Sequence, residues 1–137
     1  MPNGETALCD TGPLVALCDA GSTAHEDCRE ALQGYPGRIL TTWAVLTEAM
    51  HLLKHPALKA VLWDFLAKGG VELASEDGHD LPRMHWFMTK YADQPMDFAD
   101  ASLVAVAERL RLRKVFTLDH HFRVYRPRHA RHFEVFP

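Results

Sequence analysis

Thr6-Ala7-Leu8-Cys9-Asp10-Thr11-Gly12-Pro13 is the stretch on which the fold turns. A short run of apolar and small residues, with no polar alternation, suits a strand buried on both faces of a parallel sheet. Gly12-Pro13 then opens a short helix carrying Leu14, Val15 and Leu17, which ends near Gly21. An aspartate at the carboxyl end of such a strand points into the crevice where open α/β sheets bind ligands. Val115-Phe116-Thr117-Leu118 closes on Asp119 in the same manner.

Working outward, the chain alternates strands with helices. Ser22 is the expected N-cap of a second helix running to about Leu32, with Glu26 and Asp27 near its start. Arg38 to Thr41 reads as a strand, and Thr41 or Thr42 caps a helix through about Lys54. Pro56 opens a helix that Gly69-Gly70 stops after Ala67, and Val71 to Ala74 follows as a strand. Asp80-Leu81-Pro82 starts a helix to about Tyr91, and residues 97–110 form a strongly apolar one. Lys114 to Leu118 and Phe133 to Phe136 complete the strands. Strands separated by helices imply right-handed crossovers and a mostly parallel sheet of four to five strands, covered on both faces. No linker or repeat divides residues 1–137, so a single domain is expected.

With 47% hydrophobic and 24% charged residues the chain has the composition of an ordinary globular protein. No apolar run is long enough to span a membrane, and no signal peptide is visible. Cys9, Cys18 and Cys28 form no CxxC pair, and their odd number suits a reducing cytoplasm. The formal net charge of −3 hides an asymmetry. Residues 1–108 hold seven Lys/Arg against sixteen Asp/Glu, whereas residues 109–132 hold eight against Asp119 alone. A cationic end beside an acidic cleft suits a polyanion such as nucleic acid; a solvated basic tail or a surface for an acidic protein explains the same charge.

Four acidic positions remain to be explained: Asp10, Glu48, the Asp97/Asp100 pair and Asp119. Glu48 lies in a helix with Ala44, Val45 and Leu52 along its stripe, where an unpaired charge is prohibitively costly. Asp97 and Asp100 share a helix face at i, i+3; Asp97 suits a plain N-cap and Asp100 a ligand. Carboxylates gathered in one cleft resist ionisation unless a cation neutralises them. An oxygen-only donor set points to Mg2+ or Mn2+ rather than zinc. Each acid also has an ordinary role: Asp10 as a turn former, Glu48 in an ion pair, Asp119 in an Asx turn.

Four segments resemble the motifs of the PIN-domain family. They are Leu8-Cys9-Asp10-Thr11-Gly12-Pro13-Leu14-Val15-Ala16-Leu17, Thr42 to Glu48, Met96 to Val104, and Thr117-Leu118-Asp119-His120-His121-Phe122. The resemblance implies a three-layer α/β/α fold and a Mg2+-dependent ribonuclease of the VapC toxin type. It further implies a homodimer and an antitoxin partner lying over the acidic cleft. Carried over residue by residue, Asp10, Glu48 and Asp100 match the core metal-binding acids, and Asp119 the more variable fourth. Asp97 is an additional acid in the metal set.

Thr11 and Thr117 beside these acids, with Arg123 and Arg126 in the basic stretch, are the expected substrate contacts; the threonines suit a bond to a carboxylate, a metal-bound water or a phosphate, and strand and turn packing explains them equally well. His51 and His55 stand one helical turn apart but lack a third ligand at zinc spacing. Trp43, Trp63, Trp86, Phe65 and Phe87 fall at helical spacing and are read as core or dimer interface. The alternative function is a catalytically weak PIN-like module that binds RNA or protein. A phosphotransferase using Asp10 as nucleophile is disfavoured, because Gly12 stands where haloacid-type phosphatases want a second aspartate. No GxxxxGK phosphate loop occurs.

Overall fold

The computed structural model describes residues 4–75 and 77–137. Its strands are β1 (Ala7–Cys9), β2 (Ile39–Thr41), β3 (Glu72–Leu73), β4 (Lys114–Phe116) and β5 (Glu134–Phe136). Its helices are α1 (Thr11–Cys18), α2 (His25–Gln33), α3 (Trp43–Leu52), α4 (Pro56–Ala67), α5 (Leu81–Lys90) and α6 (Phe98–Leu110). Two single 3-10 turns, Gly78–Asp80 and His120–Arg123, complete the described elements.

The strands form one sheet in the order β3-β2-β1-β4-β5, and every pairing is parallel. Leu8 lies opposite Leu40 on one side and Val115 on the other, so β1 is the hydrogen-bonded centre. From β1 the chain builds outward through β2 to β3, then returns to place β4 on β1's other edge. That reversal creates a crevice at the carboxyl ends of β1 and β4, the place where open α/β sheets put their ligands. Asp10 and Asp119 follow those two strand ends.

β1 and β2 are buried throughout, which is why their sequences do not alternate. The helix over the crevice is α6, and its residues Ala99–Ala107 are all buried. Small residues at Ala99, Ala101, Ala105 and Ala107 let it sit close among neighbours, while Leu103 and Val104 fill the core. Thr42 caps α3 by accepting the Val45 N–H, and its hydroxyl also meets Ser102 at 2.8 Å, tying α3 to α6.

Several sequence expectations need correction. Ser22 does not cap α2: its hydroxyl accepts the Ala24 N–H in a turn, and the helix begins at His25 behind Ala24. The strands are two or three residues long, shorter than read, because their flanking residues leave the ladder for turns and caps. Trp43, Trp63 and Trp86 are not core: they are 51%, 62% and 44% exposed in the single chain, unlike buried Phe87. Cys9, Cys18 and Cys28 are buried free thiols. No helix among the described residues is long and apolar enough to cross a membrane.

Candidate metal centre

Asp10 enters the crevice as the residue that ends β1 and N-caps α1. Its Oδ1 accepts the Thr11 N–H at 2.8 Å, and its Oδ2 accepts the Thr117 hydroxyl at 2.7 Å. Thr117 follows β4, so adjacent strands fix both oxygens of one carboxylate. Asp97 N-caps α6 by accepting the Asp100 N–H at 2.8 Å, and that turn aims Asp100 inward. Asp100 is 7% exposed, and its Oδ2 accepts the Tyr125 hydroxyl at 3.2 Å. Asp119 caps the 3-10 turn after β4; its Oδ1 accepts the His121 N–H at 2.9 Å and lies 2.6 Å from His121 Nδ1.

Oxygens of Asp10, Asp100 and Asp119 all lie within 4.8 Å of one another. Three segments of the chain, otherwise far apart in sequence, therefore converge on one point. Glu48 does not join that group; it is half-buried on α3, a helix packed against both α1 and α6. Asp97 also stays outside it, its carboxylate engaged as a cap. Asp119 forms a second close group with His120 and His121, a nitrogen-bearing set that the reading of the sequence did not single out.

The electrostatics show strain of the expected sign. Burial pushes the Asp10 carboxyl up to about 6, opposed by the Thr117 and Thr11 hydrogen bonds and reinforced by Asp119 and Asp97. Burial likewise pushes Asp100 up to about 8, with the charges of Asp10, Asp97 and Asp119 adding to it. Tyr125 is raised too, by burial and by Asp100, so it stays a neutral donor. Carboxyls held this way are short of positive charge. The Thr11 hydroxyl beside them is buried without a hydrogen-bond partner. Three carboxylates whose hard oxygens meet at one point fit a hard divalent cation.

Substituting Thr117 by valine tests one link in this set. The hydroxyl's bond favours the ionised form of Asp10, so its loss is expected to move the Asp10 titration above about 6. Carboxyl chemical shifts followed against pH in the metal-free protein measure it.

The expected substrate contacts divide. Thr117 and Arg123 line a cavity of about 230 Å³ with Asp119 and His120. Arg126 instead turns its guanidinium onto the carbonyls of Arg123 and Tyr125. His51 and His55 are both exposed. Tyr125 went unnoticed in the sequence, since no spacing links it to Asp100.

The PIN domain family model matches residues 7–126. The chain belongs to the PIN-domain family. Ribonuclease VapC26 of Mycobacterium tuberculosis is 33% identical over 135 residues, covering 95% of this PIN-domain chain and 99% of that protein. Among solved structures, Mycobacterium tuberculosis VapC20, a sarcin-ricin loop cleaving toxin, superposes with a TM-score of 0.78 at 21% identity. That match covers 91% of this chain and 98% of VapC20. VapBC2 from Rickettsia felis, solved with a DNA fragment from its promoter, gives 0.67 at 12% identity over 97% and 100% of the two chains. Both structural matches establish the shared fold.

Proposed function

We propose that this PIN-domain protein is a VapC-type endoribonuclease that hydrolyses RNA phosphodiester bonds with a divalent ion, Mg2+ or Mn2+. The observation that carries the reading is the meeting of Asp10, Asp100 and Asp119 oxygens within 4.8 Å. Those three would hold the ion directly. Glu48 and Asp97 stand farther out, where contact through water suits an ion that keeps much of its hydration shell. A bound divalent cation supplies charge neutralisation at the phosphate and a water of lowered pKa.

The rest falls to the chain's own groups. Thr117 and the Thr11 N–H fix both oxygens of Asp10, and Tyr125 steadies Asp100, so none of the carboxylates needs to reorganise. Arg123, on the cavity beside Asp119, meets the RNA backbone as a cation rather than as a reader of sequence. VapC26 is named a ribonuclease at 33% identity, which supports the same activity here. A cytoplasmic homodimer held in check by an antitoxin completes the proposal. Exposed Trp43, Trp63 and Trp86 suit burial against a second protein surface.

Total RNA incubated with the purified protein tests the reading. Cleavage is expected with Mg2+ or Mn2+ and not with EDTA, and Asp119→Asn is expected to cut far more slowly. Undiminished cleavage in EDTA sinks metal dependence. RNA binding without cleavage under any ion supports the weak binding module instead.

A further inference from the structure

The basic stretch is only partly paired. Arg109 meets Asp80, Arg113 meets Glu5 and Lys114 approaches Glu134. Arg111 and Arg128 have no carboxylate partner among the described residues. Both line a polar cavity of about 490 Å³ at the carboxyl end of α6, remote from the acidic crevice.

The acids in that cavity are already engaged. Glu108 accepts Arg83 through Nε at 2.8 Å and Nη2 at 3.0 Å, and it also takes the Arg128 backbone N–H. Asp80 accepts Arg109 Nε at 3.3 Å. Four guanidinium groups thus face two carboxylates, leaving the wall net positive. His129 lines the same cavity. Its Nε2 lies 2.7 Å from the Leu112 carbonyl, so that nitrogen carries the hydrogen, and its Nδ1 is buried with no partner.

The backbone points the same way. Arg111 ends α6 in the left-handed conformation, at φ 58 and ψ 44, where glycine is the usual residue. A long cationic side chain is kept there against backbone preference. Compensation of the helix dipole accounts for a cation at Arg111, but not for Arg128, which comes from the segment before β5.

We propose that this cavity binds a backbone phosphate of the RNA strand through Arg111, Arg128 and His129, braced by the Arg83–Glu108 and Arg109–Asp80 pairs. The proposal rests on the ribonuclease reading and deepens it. The helical rise puts Arg111 roughly 16 Å from Asp100, so the phosphate lies some nucleotides from the bond that is cut. Asp80 and Arg109 also line a neighbouring cavity of about 240 Å³ that reaches Trp43 on α3 and Phe98 at the start of α6. The contact grips the strand without reading its sequence.

Fluorescence anisotropy in EDTA, with uridine oligoribonucleotides of about four and about twelve nucleotides, tests the pocket apart from cleavage. The variants are Arg111→Gly, Arg128→Ala and the double substitution. Glycine suits the left-handed backbone, so the first variant is expected to fold, and thermal melting verifies it. The double variant is expected to bind the longer strand about tenfold more weakly at low salt, with the salt slope reduced by about 0.7, the value for one phosphate on a single strand. Its affinity for the short strand, and the rise in melting temperature with Mn2+, are expected to match wild type. Unchanged affinity and slope for the longer strand overturn the pocket while leaving the ribonuclease reading intact. Equal losses on both lengths overturn it as well, showing only general charge. If wild type binds neither strand, the RNA occupant of this cavity falls, even where pyrophosphate still stabilises wild type and not the double variant, while the ribonuclease reading is decided separately by cleavage with Mg2+.

Discussion

Replacing Asp100 with asparagine is expected to abolish RNA cleavage and, at pH 8, to raise the melting temperature of the metal-free protein. The two effects have one cause. Burial and the charges of Asp10, Asp97 and Asp119 hold the Asp100 carboxyl near 8, so its ionised form is costly in the folded chain. Asparagine has nearly the same shape, keeps an oxygen for the Tyr125 hydroxyl and brings no charge. What it loses is an anionic ligand. Loss of a supporting neighbour costs a metal site about 10–100-fold, and loss of a ligand itself is expected to cost more, on the order of a thousandfold. Single-turnover cleavage of a labelled RNA and calorimetry on the same preparation measure both. A variant that cuts at the wild-type rate, or that melts lower than wild type at pH 8, contradicts this account of the site.

The second large effect is the pH dependence of stability. A carboxyl whose folded pKa is raised binds protons more tightly in the folded state, so stability falls as pH rises. The contribution is fully present below the unfolded value of 3.8; Asp10's share is lost by about pH 6 and Asp100's by about pH 8. Glu72 and Glu108 are shifted the other way by their arginine partners. Their share is lost only as pH falls below their ordinary value of 4.5, outside this window. The metal-free protein is therefore expected to melt at progressively lower temperature from pH 5 to pH 8. Divalent cations compete with protons for the same oxygens, so stabilisation by Mn2+ grows over that range. The Asp10→Asn, Asp100→Asn double variant is expected to lose most of both trends. A melting temperature that climbs from pH 5 to pH 8 in wild type without metal would falsify the linkage.

Asp10 was legible in the sequence because local chemistry alone marks it: an unalternating strand, an acid, then Gly-Pro. Asp119 was legible for the same reason. In the Asp97/Asp100 pair, i, i+3 spacing puts both on one face and favoured Asp97 as the cap and Asp100 as the deeper acid, which the hydrogen bond from Asp100 N–H to Asp97 and the burial of Asp100 bear out. Glu48 shows where local reading ends. An apolar stripe announced a constrained glutamate, yet how far its carboxylate stands from the others depends on how α3 packs against α1 and α6. Ser22 misled because a serine that accepts the N–H two residues on looks, in sequence, like a helix cap. The Asx turn expected at Asp119 is the bond from His121 N–H, whereas Tyr125 was invisible as a partner of Asp100, because the segment after β4 carries no periodicity to read. The exposed tryptophans share the spacing of buried residues, and burial by a partner chain leaves the same pattern as burial by a core.

The hydrogen bond between Thr117 and Asp10 joins residues 107 positions apart. A chain that has emerged only through β3 holds Asp10 but still lacks Asp100 and Asp119, so a product truncated there has no assembled cleft. The cleft is thus completed by the pairing of β1 with β4, and neither segment carries it alone.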